Sequence, residues 1–340
     1  MSAHDRQAVI CAEFGIPEFL APWLDRFFEP HERDLILTLA HTPVSADSRG
    51  QLFASDAAVE RAYKRGIITY RADGGVELAD FHARFEIWAL FEGWKDVPPE
   101  IRTRLNTWEL EAYEAQKQEL FTTLKAGGPQ EFPDERTEYV LLHEAQRILE
   151  DAEHIYLWPC NCRAMMQACS QPLDNCLRFT NDRGLGWEIS VERAKEIMGE
   201  AHRNGLMHVA EVSRSAEGTL TGGICNCCPD CCYPHQVAER QGTQTLWPTS
   251  RYIVRYFPAQ CRGCGRCVRR CPFQAFEFTE TAEGLTTKPQ KTLLFHPDRC
   301  RGCGLCVSSC PDNAIRMQPR STAQRTESGV WGVTQTEKAG

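Results

Sequence analysis

The sequence predicts an α+β protein of several domains: a mainly helical N-terminal part, an α/β middle part rich in cysteine, and a small C-terminal part. The length of 340 residues is enough for two or three compact domains. Of the eighteen cysteines, all but Cys11 lie beyond residue 159. The net charge is −7 over residues 1–125, −8 over 126–250 and +6 over 251–318. Cysteine placement and charge therefore divide the chain in similar places.

Residues 1–129 predict the mainly helical domain. The apolar spacing over residues 32–40 predicts one helix. A second begins near Ser55 and ends before Gly66, because these residues favour a helix N-cap and a C-terminal end. Gly127-Gly128-Pro129 is typical of a linker, so we predict the domain boundary there.

A short β-hairpin and two further helices complete this domain. Apolar residues 67–70 and 76–78 flank Asp73-Gly74-Gly75, a turn sequence suited to positive φ. Helices are predicted over 80–91 and 98–125, the latter with proline in its first turn. Two helices followed by a hairpin resemble the outline of a winged helix. We therefore expect a winged-helix-like domain.

Residues 130–250 predict the α/β domain. Residues 137–152 have the spacing of an amphipathic helix, and 155–158 form a short apolar strand. A second helix is predicted over 190–205 and a second strand over 206–212. Each strand leads towards a run of cysteines, which indicates a single composite metal site in this domain.

The C-terminal domain, residues 251–318, contains one cysteine motif twice. Both copies have the spacing C-x2-C-x2-C-x3-C-P, in the sequences CRGCGRCVRRCP and CRGCGLCVSSCP. Three thiolates from one tight loop can bind three irons of a cubane cluster, and the fourth thiolate comes from elsewhere. Two zinc sites are the alternative, but zinc loops usually offer paired C-x2-C knuckles instead of triplets.

This repeat resembles the bacterial-type ferredoxins that hold two [4Fe–4S] clusters, so we expect a two-cluster ferredoxin fold. In that class the fourth cysteine of each copy binds the other cluster. The resemblance implies one cluster on Cys261, Cys264, Cys267 and Cys310. It implies the other on Cys300, Cys303, Cys306 and Cys271. An extended hairpin would account for the long insert over 273–299.

Five arginines lie among these cysteines and suit an acidic redox partner, or else only offset the charge of the clusters. They are Arg262, Arg266, Arg269, Arg270 and Arg301.

Nine cysteines of the middle domain form a second candidate metal site. They are Cys160, Cys162, Cys169, Cys176, Cys225, Cys227, Cys228, Cys231 and Cys232. Thiolates packed this closely repel one another unless a metal neutralises them, and we favour [4Fe–4S] over zinc. One reading is two clusters with one thiol left over, and the other is one cluster beside redox-active or persulfide-carrying thiols. His208 is a candidate ligand or proton donor, whereas lone Cys11 is predicted to be a small buried hydrophobe.

The middle and C-terminal parts together resemble a group of uncharacterised cytoplasmic 4Fe–4S binding proteins, often from anaerobes. The shared features are PCNCR, GLMH, ICNCC and the C-terminal repeat, which span roughly residues 135–315. This resemblance implies a redox function and names no substrate.

The expected function is single-electron transfer between the ferredoxin clusters, the middle Fe–S site and a partner oxidoreductase. A flavin-containing partner is one candidate, because the chain has no glycine-rich dinucleotide or phosphate loop. One alternative is a reductase with a catalytic cluster or reactive thiols in the middle domain, so enzymatic activity stays open. Another is a redox-sensing winged-helix regulator, but DNA binding is not expected from a segment with a net charge of −7 over residues 1–125.

The remaining expectations concern location and assembly. The first residues have no basic stretch followed by an apolar run, and no segment has the roughly 18 apolar residues of a membrane span. We expect a cytoplasmic protein, since clustered cysteines in a reducing compartment indicate metal ligands. A homo- or hetero-oligomer is compatible with the sequence. The polar tail, residues 319–340, is predicted to be disordered.

Overall fold

The computed structural model describes residues 3–40, 44–45, 52–53, 55–94, 96–127, 137–281 and 290–320. The chain divides into two compact units. The first is Met1–Glu109 with Asn181–Leu185, and the second is Leu110–Thr180 with Gly186–Gly340. Helices and sheets occur in both units, as the predicted α+β class requires. Within the described residues, no helix has the length and apolar character needed to cross a membrane.

The first unit begins with short helices around an aromatic core. Their bounds are α1 Ala3–Glu13, a 3-10 helix Glu18–Trp23, α2 Leu24–Phe27, α3 Pro30–Leu39 and α4 Asp56–Lys64. The two predicted helices correspond to α3 and α4. Ser55 caps α4 as expected, since its Oγ accepts a hydrogen bond from the backbone of Ala58 at 3.3 Å.

A β-hairpin and a longer helical region follow. Their bounds are β1 Ile68–Tyr70, β2 Val76–Leu78, α5 Phe81–Ile87, a π-helix Trp88–Glu92, α6 Pro99–Gln116 and α7 Gln118–Lys125. β1 and β2 are antiparallel, so the predicted hairpin is confirmed. The helix predicted over 98–125 is interrupted at Lys117. The boundary between the units lies inside α6, and the predicted linker at Gly128-Pro129 lies outside the described residues.

A buried ion-pair network holds the first unit together beside its aromatic core. Arg84 is fully buried, donates to the Phe27 carbonyl at 2.6 Å and pairs with Glu92 at 2.5 Å. Arg65 pairs with Glu32 at 2.5 Å and with Glu92 at 2.9 Å. Buried charges need such partners, because an unpaired charge away from water is costly.

A seven-stranded sheet organises the middle segment, residues 137–250. Its strands, in spatial order, are β6 Trp187–Glu188, β4 Tyr156–Pro159, β5 Asp174–Arg178, β8 Leu220–Cys227, β7 Met207–Arg214, β3 Thr137–Val140 and β9 Thr249–Ser250. All neighbours are antiparallel except β3 and β9. The helices are α8 Leu142–Glu150, α9 Asn161–Met166, α10 Val191–Arg203 and α11 Tyr233–Gln241.

The prediction of a helix over 137–152 is wrong for the first four residues. These residues form β3, which lies between β7 and β9. Thr137, Tyr139 and Val140 are buried in the sheet, where β-branched and aromatic side chains pack well. The helix itself starts only at Leu142. Glu144 fixes that start, because its carboxylate accepts from the backbone of Leu141 at 3.0 Å.

The two faces of this sheet have different partners. Successive strand residues point to opposite faces. Val140 and Ile224 pack in one apolar cluster with residues of α8 and α10. Tyr139, Val209 and Cys227 pack in another cluster, which also contains residues of the C-terminal segment. The cysteine runs therefore lie towards the face that meets the C-terminal segment.

The C-terminal segment, residues 251–320, contains two pairs of strands. Their bounds are β10 Tyr252–Tyr256, β11 Phe276–Thr281, β12 Gln290–Phe295 and β13 Ile315–Pro319, with the short helix α12 Arg266–Arg270. β10 pairs with β13, and β11 with β12, both antiparallel. The hairpin expected in the insert is thus present. The disorder predicted for residues 319–340 is wrong for the first two, because Pro319 ends β13 and Arg320 donates to the Cys300 carbonyl at 2.7 Å. Residues 321–340 lie outside the described residues.

Candidate metal centres

The first copy of the repeat lines a small cavity. Its lining includes four cysteines, three from this copy and one from the other. They are Cys261, Cys264, Cys267 and Cys310. Gly263 and Gly265 have φ of +71° and +69°, which lets the loop turn tightly between the cysteines before α12 begins.

The second copy lines a similar cavity. Its cysteine lining again combines three residues of one copy with one of the other. They are Cys300, Cys303, Cys306 and Cys271. The two cavities group the cysteines as the expected ligand exchange does. The ligand assignment itself stays a prediction.

Buried thiols in these cavities resist ionisation unless a cation is bound. Burial raises the pKa of Cys303 to about 12 and that of Cys267 to about 11. Only the thiolate is a good metal ligand, and bound metal ions deprotonate thiols. Buried cysteines with raised pKa values therefore suit a site that is ionised by its metal. The donor set, four thiols per cavity, fits a [4Fe–4S] cluster.

The five arginines of the repeat divide into two kinds. Arg262, Arg266 and Arg269 are exposed, around the exposed Cys264 of the first copy. Arg270 instead donates to the carbonyls of His202 and Arg203 in the middle segment. Arg301 is half-buried with its guanidinium 5.8 Å from the Phe273 ring centroid. Arg262 pairs with Asp312 at 3.2 Å, so Arg266 and Arg269 supply most of the positive charge open to a partner beside the first cavity.

The nine cysteines of the middle segment separate into two groups instead of one composite set. Six of them form the larger group: five are linked by hydrogen bonds between their thiols, and Cys162 interacts with Cys160 and Cys232 through charge. They are Cys160, Cys162, Cys176, Cys225, Cys227 and Cys232. The remaining three form a compact group: Cys169, Cys228 and Cys231. We call them the six-cysteine group and the three-cysteine group.

Four separate elements supply the six-cysteine group. Cys160 is the N-cap of α9 and Cys162 lies in its first turn. Cys176 lies on β5, beside β8, whose residues Cys225 and Cys227 are two apart and so point to one face. Cys232 is the N-cap of α11. The sheet and two helix starts thus converge on one point.

Electrostatics in the six-cysteine group are dominated by its own thiols. Hydrogen bonds from Cys176 and Cys227 lower the pKa of Cys225 well below its ordinary value. Hydrogen bonding to Cys160 and Cys225 raises the pKa of Cys176, and burial raises it further. Thiols that share protons in this way could all be ionised together only by a strong positive charge, such as a metal cluster.

The three-cysteine group is much tighter. The Cys169 Sγ lies 3.5 Å from the Cys228 Sγ and 3.7 Å from the Cys231 Sγ. All three sulfur atoms lie within 4.8 Å of one another. Cys228 and Cys231 are buried, and Cys169 is half-buried.

Arg163 lies between the two groups and was missed by sequence reasoning. It is buried and donates to the carbonyls of Pro172 and Asn226, the latter at 3.1 Å. Burial lowers the pKa of Arg163, but Cys160 and a hydrogen bond to Cys228 raise it overall. The sequence PCNCR could have identified Arg163, because an arginine directly after a candidate ligand can offset the negative charge of the thiolates.

Tyr139 connects the six-cysteine group to the second cavity of the repeat. This buried ring shares one cluster with Cys227 and Cys232 of the middle segment and with Cys303 of the repeat. Burial raises the pKa of Tyr139 well above its ordinary value, and the neighbouring Cys232 and Cys227 raise it further. Nothing in the local sequence around Tyr139 marks this position, because its partners lie far away in the chain.

His208 takes part in a buried polar chain. Its Nδ1 lies 2.7 Å from Asn226 Oδ1 and its Nε2 lies 3.2 Å from His202 Nδ1. His202 Nε2 in turn lies 2.9 Å from Ser308 Oγ, in the second copy of the repeat. Both ring nitrogens of His208 are therefore engaged with other side chains. Burial lowers the pKa of His208 to about 4, so the ring is neutral at pH 7.

Comparison with known families places the repeat in a defined class. The family model described as 4Fe-4S dicluster domain matches residues 260–314 and 299–335. A search of curated proteins finds no match to the chain. The C-terminal segment is thus a 4Fe-4S dicluster domain, and this supports iron–sulfur clusters and a role in electron transfer.

Proposed function

We propose that the chain relays single electrons between two ferredoxin-type [4Fe–4S] clusters, a further Fe–S centre in the middle segment and a partner oxidoreductase. One observation carries this proposal: Cys303 of the dicluster domain shares a buried cluster with Cys227 and Cys232 of the six-cysteine group. Ligands of two separate centres that pack around one ring, Tyr139, leave no solvent layer between them. A short, dry path of this kind suits electron transfer.

The ligand sets follow the two cavities of the repeat. The first cluster would use Cys261, Cys264, Cys267 and Cys310. The second would use Cys300, Cys303, Cys306 and Cys271. Since every iron then has a protein thiolate, these clusters exchange electrons and bind no substrate.

The six-cysteine group is the proposed site of the third cluster. Six thiols exceed the four that a [4Fe–4S] cluster needs, so two remain as neighbours or alternative ligands. This cluster lies at the inner end of the relay, next to the second cluster. The first cluster lies at the outer end, beside exposed Cys264 and the exposed arginines.

The partner is proposed to dock at the outer end. Arg262, Arg266 and Arg269 form a basic surface around Cys264, which favours an acidic partner and faster encounter at low salt. An acidic, flavin-containing oxidoreductase fits this chemistry. Electron uptake that becomes slower as salt is added would support an acidic partner at this face.

The experiment that tests the relay is metal and sulfide analysis of the anaerobically purified full chain, with EPR of the reduced protein. We expect about twelve iron and twelve sulfide per chain, from three cubane clusters. Cys227→Ser should remove about four of each and leave the two dicluster signals. Cys11→Ser, remote in sequence from the cysteine runs, is the matched control. A wild-type content of eight iron or fewer, with no middle-segment signal, would refute the relay.

The winged-helix-like arrangement of the first unit is proposed to serve protein docking. Its candidate recognition helix, α4, carries Arg61 and Lys64, and Arg65 is the C-cap of this helix. Two of these are used within the unit: Arg65 pairs with Glu32 and Glu92, and Lys64 pairs with Glu60 at 3.0 Å. Such pairing leaves less charge for phosphates and disfavours DNA binding. Specific binding to duplex DNA at physiological salt would favour the regulator instead.

A further inference from the structure

We propose that Cys169, Cys228 and Cys231 form a mononuclear metal site with one exchangeable coordination position. This site is separate from the cluster proposed for the six-cysteine group. It rests on the proposed function only in that both place metal in the middle segment. The ion that fits is a divalent metal with a preference for thiolate, with Zn²⁺ as the first candidate.

The distances between the sulfur atoms carry this inference. Two thiolates bound at about 2.3 Å to one tetrahedral ion lie roughly 3.8 Å apart. The Cys169 Sγ is 3.5 Å from the Cys228 Sγ and 3.7 Å from the Cys231 Sγ. In a cubane cluster each cysteine binds a different iron, so the sulfur atoms must lie farther apart. The three-cysteine group therefore has the spacing of a single ion.

The dicluster domain provides an internal comparison. Over the described parts of the chain, this is the one set of three Cys, His, Asp or Glu side chains whose ligand atoms all lie within 4.8 Å. The eight cysteines of the dicluster domain do not meet that condition. Cysteines that belong to a known [4Fe–4S] domain are thus spaced more widely than the three-cysteine group.

The surroundings are those of a built metal site. Cys228 and Cys231 form a C-x2-C pair across a turn, closed by the Cys232 backbone, which donates to the Cys228 carbonyl at 3.3 Å. Ala201 and Leu206 bury the pair on the apolar side. The Arg163 guanidinium lies beside Cys228. Three thiolates and one divalent ion have a net charge of −1, which this guanidinium offsets.

Three protein ligands leave the fourth tetrahedral position for water or a substrate atom, as in catalytic zinc sites. Cys169, the only half-buried member of the three-cysteine group, gives this position a side open to solvent. The ligand it would accept is a small anion or thiolate. The site thus adds a candidate Lewis-acid centre to a protein whose other centres only move electrons.

The test is metal analysis of the full chain, purified anaerobically from cells grown with zinc. We expect one zinc per chain, lost in both Cys169→Ser and Cys228→Ser, with iron content and dicluster EPR signals unchanged. Cys169→Ser changes a half-buried residue and keeps the test valid if Cys228→Ser does not fold. Cys11→Ser should keep its zinc. Loss of about four iron, without zinc, in Cys169→Ser would overturn the site in favour of a cubane.

The exchangeable position needs a second readout. Wild-type protein produced with Co²⁺ in place of zinc should show the intense thiolate-to-cobalt absorption of a tetrahedral site. The Cys169→Ser variant should lack this absorption. Added 2-mercaptoethanol should shift the cobalt d–d bands of the wild-type chain. Unshifted bands would overturn the exchangeable position, and a Cys228–Cys231 disulfide found by thiol mapping would overturn the metal site. The zinc content and the cobalt spectra do not depend on the wild-type iron content that tests the relay, so the two proposals can fail separately.

Discussion

The dicluster domain and the middle segment hold their cysteines by different structural means. In the dicluster domain two short loops supply eight cysteines, and each cavity takes three from one loop and one from the other. In the middle segment the six-cysteine group comes from α9, β5, β8 and the start of α11. The first arrangement is set by local loop geometry. The second depends on a sheet that must form before the ligands meet.

This difference has a consequence for folding. Loop closure over a few residues costs little entropy, so three ligands of each dicluster cavity lie close together even in a poorly folded chain. The candidate ligands of the middle segment span residues 160 to 232 and are brought together by β5, β8 and β7. We therefore expect metal in the middle segment to be lost first when the fold is weakened.

The largest expected effect concerns the exchange of ligands between the loops. Cys271→Ser should remove the second cluster, about four iron, and leave the first cluster nearly intact. Because Cys271 belongs to the first motif, its sequence position alone would suggest loss of the first cluster. The measurement is iron content with EPR of the reduced protein. Cys264→Ser, on the exposed side of the first cavity, is the matched variant and should affect the first cluster. Loss of the first cluster in Cys271→Ser would contradict the ligand exchange.

The next effect concerns the contact between the two regions. Tyr139→Ala should cost about 3–5 kcal/mol of unfolding free energy, since a buried aromatic ring is removed. Electron transfer between the second cluster and the middle centre should slow as well, because the packed path is opened. Tyr139→Phe keeps the ring and should keep most of both properties. Denaturant titration and reduction kinetics of the middle centre measure these effects.

If Tyr139→Ala leaves the reduction rate of the middle centre unchanged, the path does not pass this ring. If Tyr139→Phe is as damaging as Tyr139→Ala, the hydroxyl matters more than the packing. Either result would place the link between the two regions elsewhere.

Much of the fold could be predicted from the chain, and the reasons are physical. The helix α4 and the hairpin β1–β2 followed from local signals: Ser55 as a cap and Asp73-Gly74-Gly75 as a turn. The strand β3 did not, because Thr137–Val140 runs directly into an amphipathic helix and the helical period hides a four-residue strand. Tertiary pairing with β7 decides its conformation.

The candidate sites show the same limit. The resemblance of the repeat to two-cluster ferredoxins implied that Cys310 joins the first loop and Cys271 the second, and the two cavities group these cysteines in the same way. The division of the middle cysteines into six and three was not predictable, since Cys227 and Cys228 are adjacent yet belong to different groups. Alternation along β8 and the turn after it separate them. Tyr139, Arg163 and His202 enter only through contacts that the fold creates.

A smaller effect is expected at two glycines of the dicluster loops. Gly302 has φ +65°, and a Cβ there would overlap the Tyr252 carbonyl and Ser250 Oγ. Gly263 has φ +71°, with no atom within 4 Å of the position of its Cβ. Gly302→Ala should therefore cost about 2–4 kcal/mol, and Gly263→Ala only about 1 kcal/mol. Denaturant midpoints of cluster absorbance measure the difference. Equal losses of stability in the two variants would mean that the cost comes from backbone strain alone, and not from close packing against β10.

A further expected effect is the pH dependence of the stability of the middle segment through His208. Burial holds its folded-state pKa at about 4, below the ordinary 6.5, so the folded protein keeps this ring neutral. The unfolded chain binds the proton first as the pH falls, and stability should be lost between pH 6.5 and pH 4. At pH 5 the loss is about 2 kcal/mol. The groups that face this ring are His202, Asn226 and, through His202, Ser308 and Arg270.

His208→Gln removes the titration and keeps a side chain that can hydrogen-bond Asn226. Its unfolding free energy, compared with wild type at pH 7 and pH 5, should therefore fall less on acidification. The dicluster signals should respond alike to acid in both proteins, because their cavities do not contact His208 directly. A parallel loss of stability in the two proteins would show that acid acts on the middle segment through its cysteines and not through this histidine.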